Sequence, residues 1–175
     1  MKIKVFKLKA KTFKNSRLPA DIKRQILVLK DSFWNYGVKN QLTWLNKNIS
    51  NEDIHNCVFH QNKLVGYTLL RKRKMFIRNK NFSYFLIDTV IVSKKSRKKN
   101  LGIYLMKFNN KFIRKNKKKG FLICKKKLIN FYEKTGWKKL KKNMYSVNGK
   151  NIGLNGMSYN FNNLKKNKLK ISFTF

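Results

Sequence analysis

A basic segment between two apolar segments is the part of this sequence best suited to bind an anionic ligand. Its five cations are Lys94, Lys95, Arg97, Lys98 and Lys99. The preceding segment, 85–92, is rich in β-branched residues, which favour a buried strand. In the following segment, 100–115, apolar residues recur at helical spacing and predict a helix. A helix start presents unpaired backbone N–H groups and partial positive charge, so this arrangement predicts a phosphate site; a plain basic loop is the alternative.

Asp88 is the carboxylate whose position most suggests a chemical role. It lies inside the apolar segment before the basic loop, where residues two apart share a face, so it points the same way as Leu86 and Val90. A carboxylate in an apolar setting is costly unless it is paired or functional. Asp88 is therefore a candidate acid–base or ammonium-binding group, and a structural hydrogen bond is the alternative. His55 and His60 are weaker candidates, more typical of strand edges.

The basic loop resembles a known cofactor-binding motif. Residues 97–102 read Arg-Lys-Lys-Asn-Leu-Gly and resemble the pyrophosphate loop of the GNAT superfamily of N-acetyltransferases, whose pattern is Gln/Arg-x-x-Gly-x-Gly/Ala after a strand that ends in Val. Arg97 and Gly102 match this pattern, and Val92 lies at the expected strand end. Asn100 replaces the first Gly. Because Asn tolerates a left-handed backbone better than other residues with a side chain, we expect the turn to survive.

A second segment resembles the same family. Residues 131–137 read Phe-Tyr-Glu-Lys-Thr-Gly-Trp, and GNAT proteins commonly carry Phe-Tyr-x-x-x-Gly-Phe or Gly-Trp after the phosphate loop and an intervening strand. The apolar segment 120–124 supplies that strand. The order and the distances fit, so the sequence is identified as a GNAT-like chain on motifs that cover residues 85–140.

The resemblance implies that acetyl-CoA is the cosubstrate and that two sets of residues hold it. Backbone groups at the strand end contact the pantetheine arm and the thioester, and these residues are Val90, Ile91 and Val92. The loop and the helix start hold the pyrophosphate through Arg97, Lys98, Lys99, Asn100, Leu101, Gly102 and Ile103. We therefore expect the phosphate site and the thioester site to be continuous in sequence.

The resemblance also implies a catalytic role for Tyr132, whereas the general base is less clearly matched. Tyr132 matches the family tyrosine that protonates the departing thiolate, and a phenol with an ordinary pKa near 10 has that proton at neutral pH. The alternative for Tyr132 is an aromatic core residue. Some family members carry a base Glu at the position of Leu86, one pleat away from Asp88, so Asp88 is the candidate base or ammonium-binding group. A proton path through water would need no base residue.

Three functions remain open from the sequence. The first is an acetyl-CoA-dependent N-acetyltransferase that acts on a small amine, such as an amino sugar. The second is a protein N-acetyltransferase, and the third is a basic RNA- or DNA-binding protein without catalysis. The charge supports the third reading, because 44 Lys and Arg face 6 Asp and Glu, a formal net charge of +38. The cations are spread along the whole chain, however, and a genome rich in A and T codons would produce the same bias.

Composition limits the remaining possibilities. Two cysteines, Cys57 and Cys124, without a CxxC pair, indicate neither a disulfide framework nor a zinc site, so no metal is expected and a cytoplasmic location is the default. No segment is long and apolar enough to predict a membrane span, and the N-terminus lacks the apolar core of a signal peptide. The sequence does not predict the oligomeric state.

The predicted elements form an α/β chain with a central mixed, mostly antiparallel sheet and helices on both faces, which is the order of a GNAT fold. Strands are predicted at 2–8, 55–60, 63–71, 85–92, 120–124 and 157–161, helices at 20–33, 40–48, 100–115 and 128–135, a late hairpin at 137–147, and a basic loop at 72–81. We expect one domain over residues 1–163 and a basic C-terminal tail over residues 164–175.

Overall fold

The computed structural model describes residues 7–78, 80–97, 100–161 and 171–175. The helices in these residues are α1 (Ala20–Asp31), α2 (Val38–Asn48), α3 (Leu101–Lys115) and α4 (Ile129–Glu133). The strands are β1 (Leu8–Lys14), β2 (Ile54–His60), β3 (Lys63–Ile77), β4 (Lys80–Val92), β5 (Lys119–Cys124), β6 (Lys138–Lys139), β7 (Tyr145–Val147), β8 (Asn155–Tyr159) and β9 (Ile171–Phe173).

The sheet is mixed and mostly antiparallel, as predicted. Its strands are hydrogen-bonded in the order β1-β2-β3-β4-β5-β8-β6, and β9 pairs with both β3 and β7. The pairs β4–β5 and β7–β9 are parallel, whereas β1–β2, β2–β3, β3–β9, β5–β8 and β6–β8 are antiparallel. The predicted α/β class is thus confirmed.

The chain divides into two compact units. The first unit comprises the described residues within Met1–Leu70 and Thr89–Leu105, and the second those within Arg71–Asp88 and Met106–Phe175. The long strands β3 and β4 each contribute residues to both units. Whether residues 1–163 behave as one domain stays a prediction.

Helices cover both faces of the strands in the first unit. Leu29 of α1 and Leu45 of α2 belong to one buried cluster with Cys57 of β2. Leu105 of α3 belongs to a second buried cluster, with Val58 of β2. Because neighbouring residues of a strand point to opposite faces, α1 and α2 lie on one face and the start of α3 on the other.

An aromatic core lies inside the second unit. The rings of Phe121 and Phe173 are stacked with centroids 3.7 Å apart, and Tyr84 meets Phe173 edge-on at 5.1 Å. The Tyr84 hydroxyl donates a hydrogen bond to the carbonyl oxygen of Thr174 at 2.8 Å. These contacts tie β9, near the C-terminus, to the middle of the chain.

Two predicted segments in the first half of the chain differ from the structure. Strand β1 spans Leu8–Lys14 and continues beyond the predicted end at residue 8, because an alternating Lys–apolar pattern does not reveal where a strand ends. The rest of the predicted strand, at residues 2–6, lies outside the described residues. The predicted loop 72–81 was wrong, because β3 continues to Ile77 and β4 begins at Lys80. Exposed residues of β3 alternate here with more buried ones, and the buried Met75 pairs with Phe173 of β9.

The late segments also pair differently from the prediction. The hairpin at 137–147 was wrong, because β6 pairs with β8 and β7 pairs with β9. Within the predicted C-terminal tail, Ile171–Phe173 form strand β9, whose Ile171 and Phe173 are fully buried. Residues 162–170 lie outside the described residues.

We expect Gly120→Ala to lower the free energy of unfolding by about 1–3 kcal/mol, because the new methyl group overpacks the core. A Cβ built at Gly120 would lie 2.8 Å from Cη2 of Trp137 and 3.0 Å from Cδ1 of Ile113. Gly153→Ala is the control, since nothing lies within 4 Å of its Cβ position. Urea unfolding of both variants checks this, and equal stabilities would contradict the packing at Gly120.

A buried histidine makes the stability of the first unit pH-dependent. His55 is fully buried; its Nδ1 lies 2.9 Å from the Tyr67 hydroxyl and its Nε2 lies 3.0 Å from Oδ1 of Asn15. Because the amide oxygen only accepts, we assign the proton to Nε2, and the Tyr67 hydroxyl donates to Nδ1. Burial lowers the pKa of His55 to about 4, with help from Lys30 and Lys23 and against the charge of Asp53.

We expect the free energy of unfolding to fall by about 2 kcal/mol between pH 7 and pH 5. The unfolded chain takes up a proton on His55 near its ordinary pKa of 6.5, whereas the folded chain resists protonation down to about 4. Protons therefore favour the unfolded state in this window, and the stability is complete above it. Urea titrations against pH measure the slope, which His55→Gln should largely abolish. A slope that is unchanged in His55→Gln would contradict the assignment.

Candidate functional site

The basic loop is anchored at its start by β4. The Ser93 N–H donates to the Val65 carbonyl at 2.9 Å, which ties the end of β4 to β3. A single 3₁₀ turn follows over Lys94–Ser96, in which the N–H of buried Ser96 donates to the Ser93 carbonyl at 2.9 Å. The turn thus holds its serines inward and leaves the side chains of Lys94 and Lys95 exposed.

The helix start has the backbone that the motif requires. Asn100 has φ 55°, the left-handed conformation predicted for the residue in place of the first Gly. Its carbonyl oxygen accepts from the Tyr104 N–H at 3.0 Å and so opens α3. The N–H groups of Leu101, Gly102 and Ile103 come before any acceptor within the helix, and the first turn contains no acidic residue. This is a helix start suited to an anion.

Apolar packing holds that helix start in place. Leu101 and Leu105 are buried in one cluster with Val58, and the half-buried Val90 and Val92 pack against it. Ile91 points to the other face of β4, toward the cluster that contains α1 and α2. The side chains of Val90, Ile91 and Val92 are therefore used for packing, which leaves their backbone groups as the part that can contact a ligand.

Arg97 is oriented by an aromatic ring that the sequence reasoning did not connect to it. Its guanidinium carbon lies 4.8 Å from the centroid of the Phe33 ring, just beyond α1. Arg97 is exposed, whereas Phe33 is half-buried against the core. A cation–π contact of this kind restrains the guanidinium without using its hydrogen-bond donors. The predicted site residues Lys98 and Lys99 lie outside the described residues.

Tyr132 lies in the second unit, and its backbone is held by several hydrogen bonds. Its carbonyl oxygen accepts from the N–H and the hydroxyl of Thr135, at 2.9 and 2.7 Å, and from the Trp137 N–H at 3.2 Å. Gly136 has φ +85°, the conformation that ends the helix here. The motif Phe-Tyr-x-x-x-Gly-Trp therefore builds the turn that fixes Tyr132.

The phenol of Tyr132 stays protonated over a wide pH range. The residue is 7% exposed, and its ring meets Phe131 edge-on with centroids 5.0 Å apart. Burial raises the pKa of Tyr132 well above 10, and the neighbouring Cys124 raises it further. Burial likewise raises the pKa of the Cys124 thiol. Tyr132 can therefore donate a proton but is a weaker acid than an exposed tyrosine.

Asp88 is paired with Arg71 in the second unit. Nη1 of Arg71 donates to Oδ2 of Asp88 at 2.9 Å, and the two side chains are 16% and 26% exposed. As a whole residue Asp88 is exposed, so its main chain contributes to the exposed area. The parallel pairing of β4 with β5 covers Tyr84–Leu86 and stops before Asp88. Exposed main-chain groups at this point of β4 are available to a ligand.

Asn110 is a positioning residue that the sequence reasoning missed. Its Nδ2 donates to the Thr135 carbonyl at 2.7 Å, and its Oδ1 accepts from the indole N–H of Trp137 at 2.9 Å. It thereby holds the turn that carries Tyr132. The signal was present in the sequence, because Asn110 falls four residues after Met106 on the buried face of α3.

Two kinds of site find no support within the described residues. No group of three or more His, Cys, Asp or Glu that could hold a metal ion occurs among residues 7–78, 80–97, 100–161 and 171–175. In the same part of the chain, no helix is long and apolar enough to cross a membrane.

A family model described as "Acetyltransferase (GNAT) domain" matches residues 20–156, most of the chain. No curated protein matches the sequence. Solved structures share the fold at low sequence identity. An acyl-CoA N-acyltransferase from Pseudomonas aeruginosa is 16% identical, with a TM-score of 0.64 over 87% of this chain and 99% of that one.

Two further solved structures have named substrates. An aminoglycoside 6'-N-acetyltransferase complexed with coenzyme A is 16% identical, with a TM-score of 0.61 over 86% of this chain and 96% of that one. The glucosamine-6-phosphate N-acetyltransferase from Arabidopsis thaliana is 18% identical, with a TM-score of 0.58 over 77% of this chain and 94% of that one. At these identities the likeness establishes the shared fold.

Proposed function

The chain belongs to the GNAT family of acetyltransferases, and from this we propose that it transfers the acetyl group of acetyl-CoA to the amine of a small molecule. The observation that carries the proposal is the junction of β4 and α3. There, a left-handed Asn100 opens a helix whose first turn has free donors and no acid, directly after the exposed cations of the loop. Acetyl-CoA supplies the activated thioester.

The first unit is proposed to hold the cosubstrate. The pyrophosphate is bound by the N–H groups of Leu101, Gly102 and Ile103 and by the side chain of Arg97. A helix start favours an anion, and charge-assisted hydrogen bonds to phosphate are strong. The contact of Arg97 with Phe33 keeps its donors free for that purpose. The backbone of residues 90–92 hydrogen-bonds the pantetheine arm, and the exposed main chain of Asp88 supports this use of β4.

Tyr132 is proposed as the general acid. The acceptor nitrogen forms a bond to the acetyl carbon, the carbon–sulfur bond breaks, and the Tyr132 hydroxyl gives its proton to the sulfur. The surplus proton of the amine leaves to solvent, from which the phenolate regains one. The raised pKa of Tyr132 keeps the proton on the phenol before the reaction begins.

The ammonium group of the acceptor must lose a proton before the amine attacks. Asp88 is the residue proposed to accept that proton or to bind the ammonium group. Asp88 is held in an ion pair with Arg71, whose Nη1 lies 2.9 Å from its Oδ2. The roles of Asp88 as base or as ammonium-binding group stay predictions. If the amine of the acceptor loses its proton in water before it binds, no residue is required as a general base.

Isothermal calorimetry with acetyl-CoA tests the proposal. We expect one binding site, with an affinity that falls as salt rises, because cations and helix dipole neutralise the phosphates. Arg97→Gln should weaken binding and flatten the salt dependence, whereas Lys11→Gln, on β1, removes the same charge away from the loop and serves as the control. Absence of heat at low salt would refute acetyl-CoA as the cosubstrate.

Neither nucleic-acid binding nor modification of proteins is favoured by a particular observation in the described residues. Binding of RNA or DNA through the basic charge stays a prediction, as do the cytoplasmic location and the amino-sugar acceptor. A steep decrease in affinity with log salt would identify a nucleic-acid partner.

A further inference from the structure

The six carboxylates of the chain all lie in the described residues, and four of them are already engaged. Buried Asp53 accepts from the Ser50 N–H at 3.0 Å, and Asp31 accepts from the Gly37 N–H at 2.7 Å. Glu52 pairs with Lys14, and Asp88 pairs with Arg71. Each of these contacts uses the negative charge to stabilise the fold or to neutralise a cation of the chain itself.

The other two carboxylates are exposed and stand at helix ends. Asp21 lies in the first turn of α1, where the helix dipole stabilises it, and Glu133 is the last residue of α4. Within residues 7–78, 80–97, 100–161 and 171–175, neither makes an ion pair. Against these two isolated groups stand 44 Lys and Arg residues.

This protein is expected to bind an acceptor with several ammonium groups weakly. Each ammonium that leaves water needs a carboxylate or other acceptor, and like charges brought together cost several kcal/mol. A formal net charge of +38 adds long-range repulsion to that local cost. Polycationic acceptors such as aminoglycosides and polyamines are therefore disfavoured both in encounter and in binding.

We propose that the acceptor is an amine that also carries a phosphate or a carboxylate, whose negative charge offsets or exceeds the positive charge of the ammonium group. This rests on the proposed acetyl transfer and names the substrate class of that reaction. An anionic acceptor is attracted by the same field that attracts acetyl-CoA, and such steering raises association rates about 10–10³-fold. The same positive field would therefore attract both acetyl-CoA and the acceptor.

The positive field also prepares the attacking amine. Nearby like charge disfavours the ammonium form and lowers the pKa of a bound amine. More of the acceptor is then the neutral nucleophile at neutral pH, as for amines placed beside other cations. A cation beside the bound acceptor would therefore favour the neutral nucleophile, whereas Asp88, the best candidate for a general base, is paired with Arg71.

Four acceptors with related sugar amines test the proposal: glucosamine, glucosamine 6-phosphate, muramic acid and kanamycin. At about 20 mM salt we expect kcat/KM to be at least about tenfold higher for the phosphate or the carboxylate sugar than for glucosamine, and lowest for kanamycin. At about 500 mM salt the Debye length is only about 4 Å, so the difference should shrink. The phosphate and carboxylate arms identify which anion is preferred.

Two outcomes would overturn the proposal. The first is a kcat/KM for kanamycin or glucosamine that equals or exceeds the kcat/KM values of both anionic sugars. The second is that neither anionic sugar is acetylated. A double variant, Asp21→Asn with Glu133→Gln, removes the exposed carboxylates. We expect it to keep the preference for anionic sugars, and a tenfold loss of acceptor kcat/KM would reveal a carboxylate anchor and contradict the proposal.

Calorimetry with acetyl-CoA on the same preparations separates this inference from the function on which it rests. Acetyl-CoA binding together with acetylation of kanamycin alone would leave acetyl transfer intact and reject the anionic acceptor. Loss of acetyl-CoA binding itself would reject the proposed function.

Discussion

Gly102→Val is expected to weaken acetyl-CoA binding about 100-fold, which corresponds to about 2.7 kcal/mol. Gly102 is the second residue of α3, half-buried, in the turn whose N–H groups are proposed to bind the pyrophosphate. A phosphate can reach those N–H groups only if no bulky side chain blocks its approach. A β-branched side chain such as that of Val would obstruct the approach most. Calorimetry at low salt measures the loss.

Gly102→Ala is the matched control for this effect. The GNAT pattern accepts Gly or Ala at this position, so a single methyl group should be tolerated and should favour the helix slightly. Val, like Ala, has a higher helix propensity than Gly, so both variants should fold, and a thermal melt verifies this. A folded Gly102→Val variant with unchanged affinity would mean that the pyrophosphate binds elsewhere.

Tyr132→Phe is expected to lower kcat about 100-fold and to leave the affinity for acetyl-CoA nearly unchanged. General acid catalysis contributes about 10²–10⁴-fold, and two features place this case at the low end. A thiolate leaves readily without help, and burial makes the Tyr132 phenol a weaker acid than usual. Since Phe keeps the ring and its packing on Phe131, the loss falls on the transition state rather than on ground-state binding.

Tyr159→Phe controls for the loss of a tyrosine hydroxyl in the same unit. The Tyr159 ring stacks on Trp137 at 5.5 Å, so this variant changes the surroundings of the motif without touching the proposed acid. Steady-state kinetics and thermal melts of both variants separate catalysis from stability. If Tyr132→Phe keeps its full kcat but melts at a lower temperature, its hydroxyl is structural.

The pH–rate profile offers a check on the same residue. Because burial raises the pKa of Tyr132, the phenol remains protonated throughout the neutral and moderately alkaline range. We therefore expect no decrease in kcat from ionisation of Tyr132 below about pH 10, the ordinary pKa of tyrosine. A decrease centred near pH 8 that disappears in Tyr132→Phe would contradict the buried position of this hydroxyl.

The sequence by itself determined the parts of this protein that depend on neighbours along the chain. The order of strand, basic loop and helix over residues 85–115 follows from local periodicity, and the structure has it. The left-handed turn was predictable because Asn adopts it more readily than other residues with a side chain, and Asn100 does so. The turn after Tyr132 follows in the same way from Gly136 at its end.

Only the tertiary structure decided which distant residues meet. Asp88 was predictable as a carboxylate that needs a partner, but Arg71, on another strand, could not be chosen from many cations. Arg97 was predictable as a phosphate ligand, but its contact with Phe33 depends on how α1 packs in the first unit. With 44 cations in the chain, charge alone does not identify a partner.

The strand residues 72–77 and Ile171–Phe173 show the same limit for the backbone. Their cations and short apolar stretches are typical of loops and tails when considered alone. They become strands because β3 and β9 hydrogen-bond each other and bury Met75 and Phe173 between them. The pairing of strands that lie far apart in sequence produces no local periodicity. It can therefore be recognised only in the folded structure.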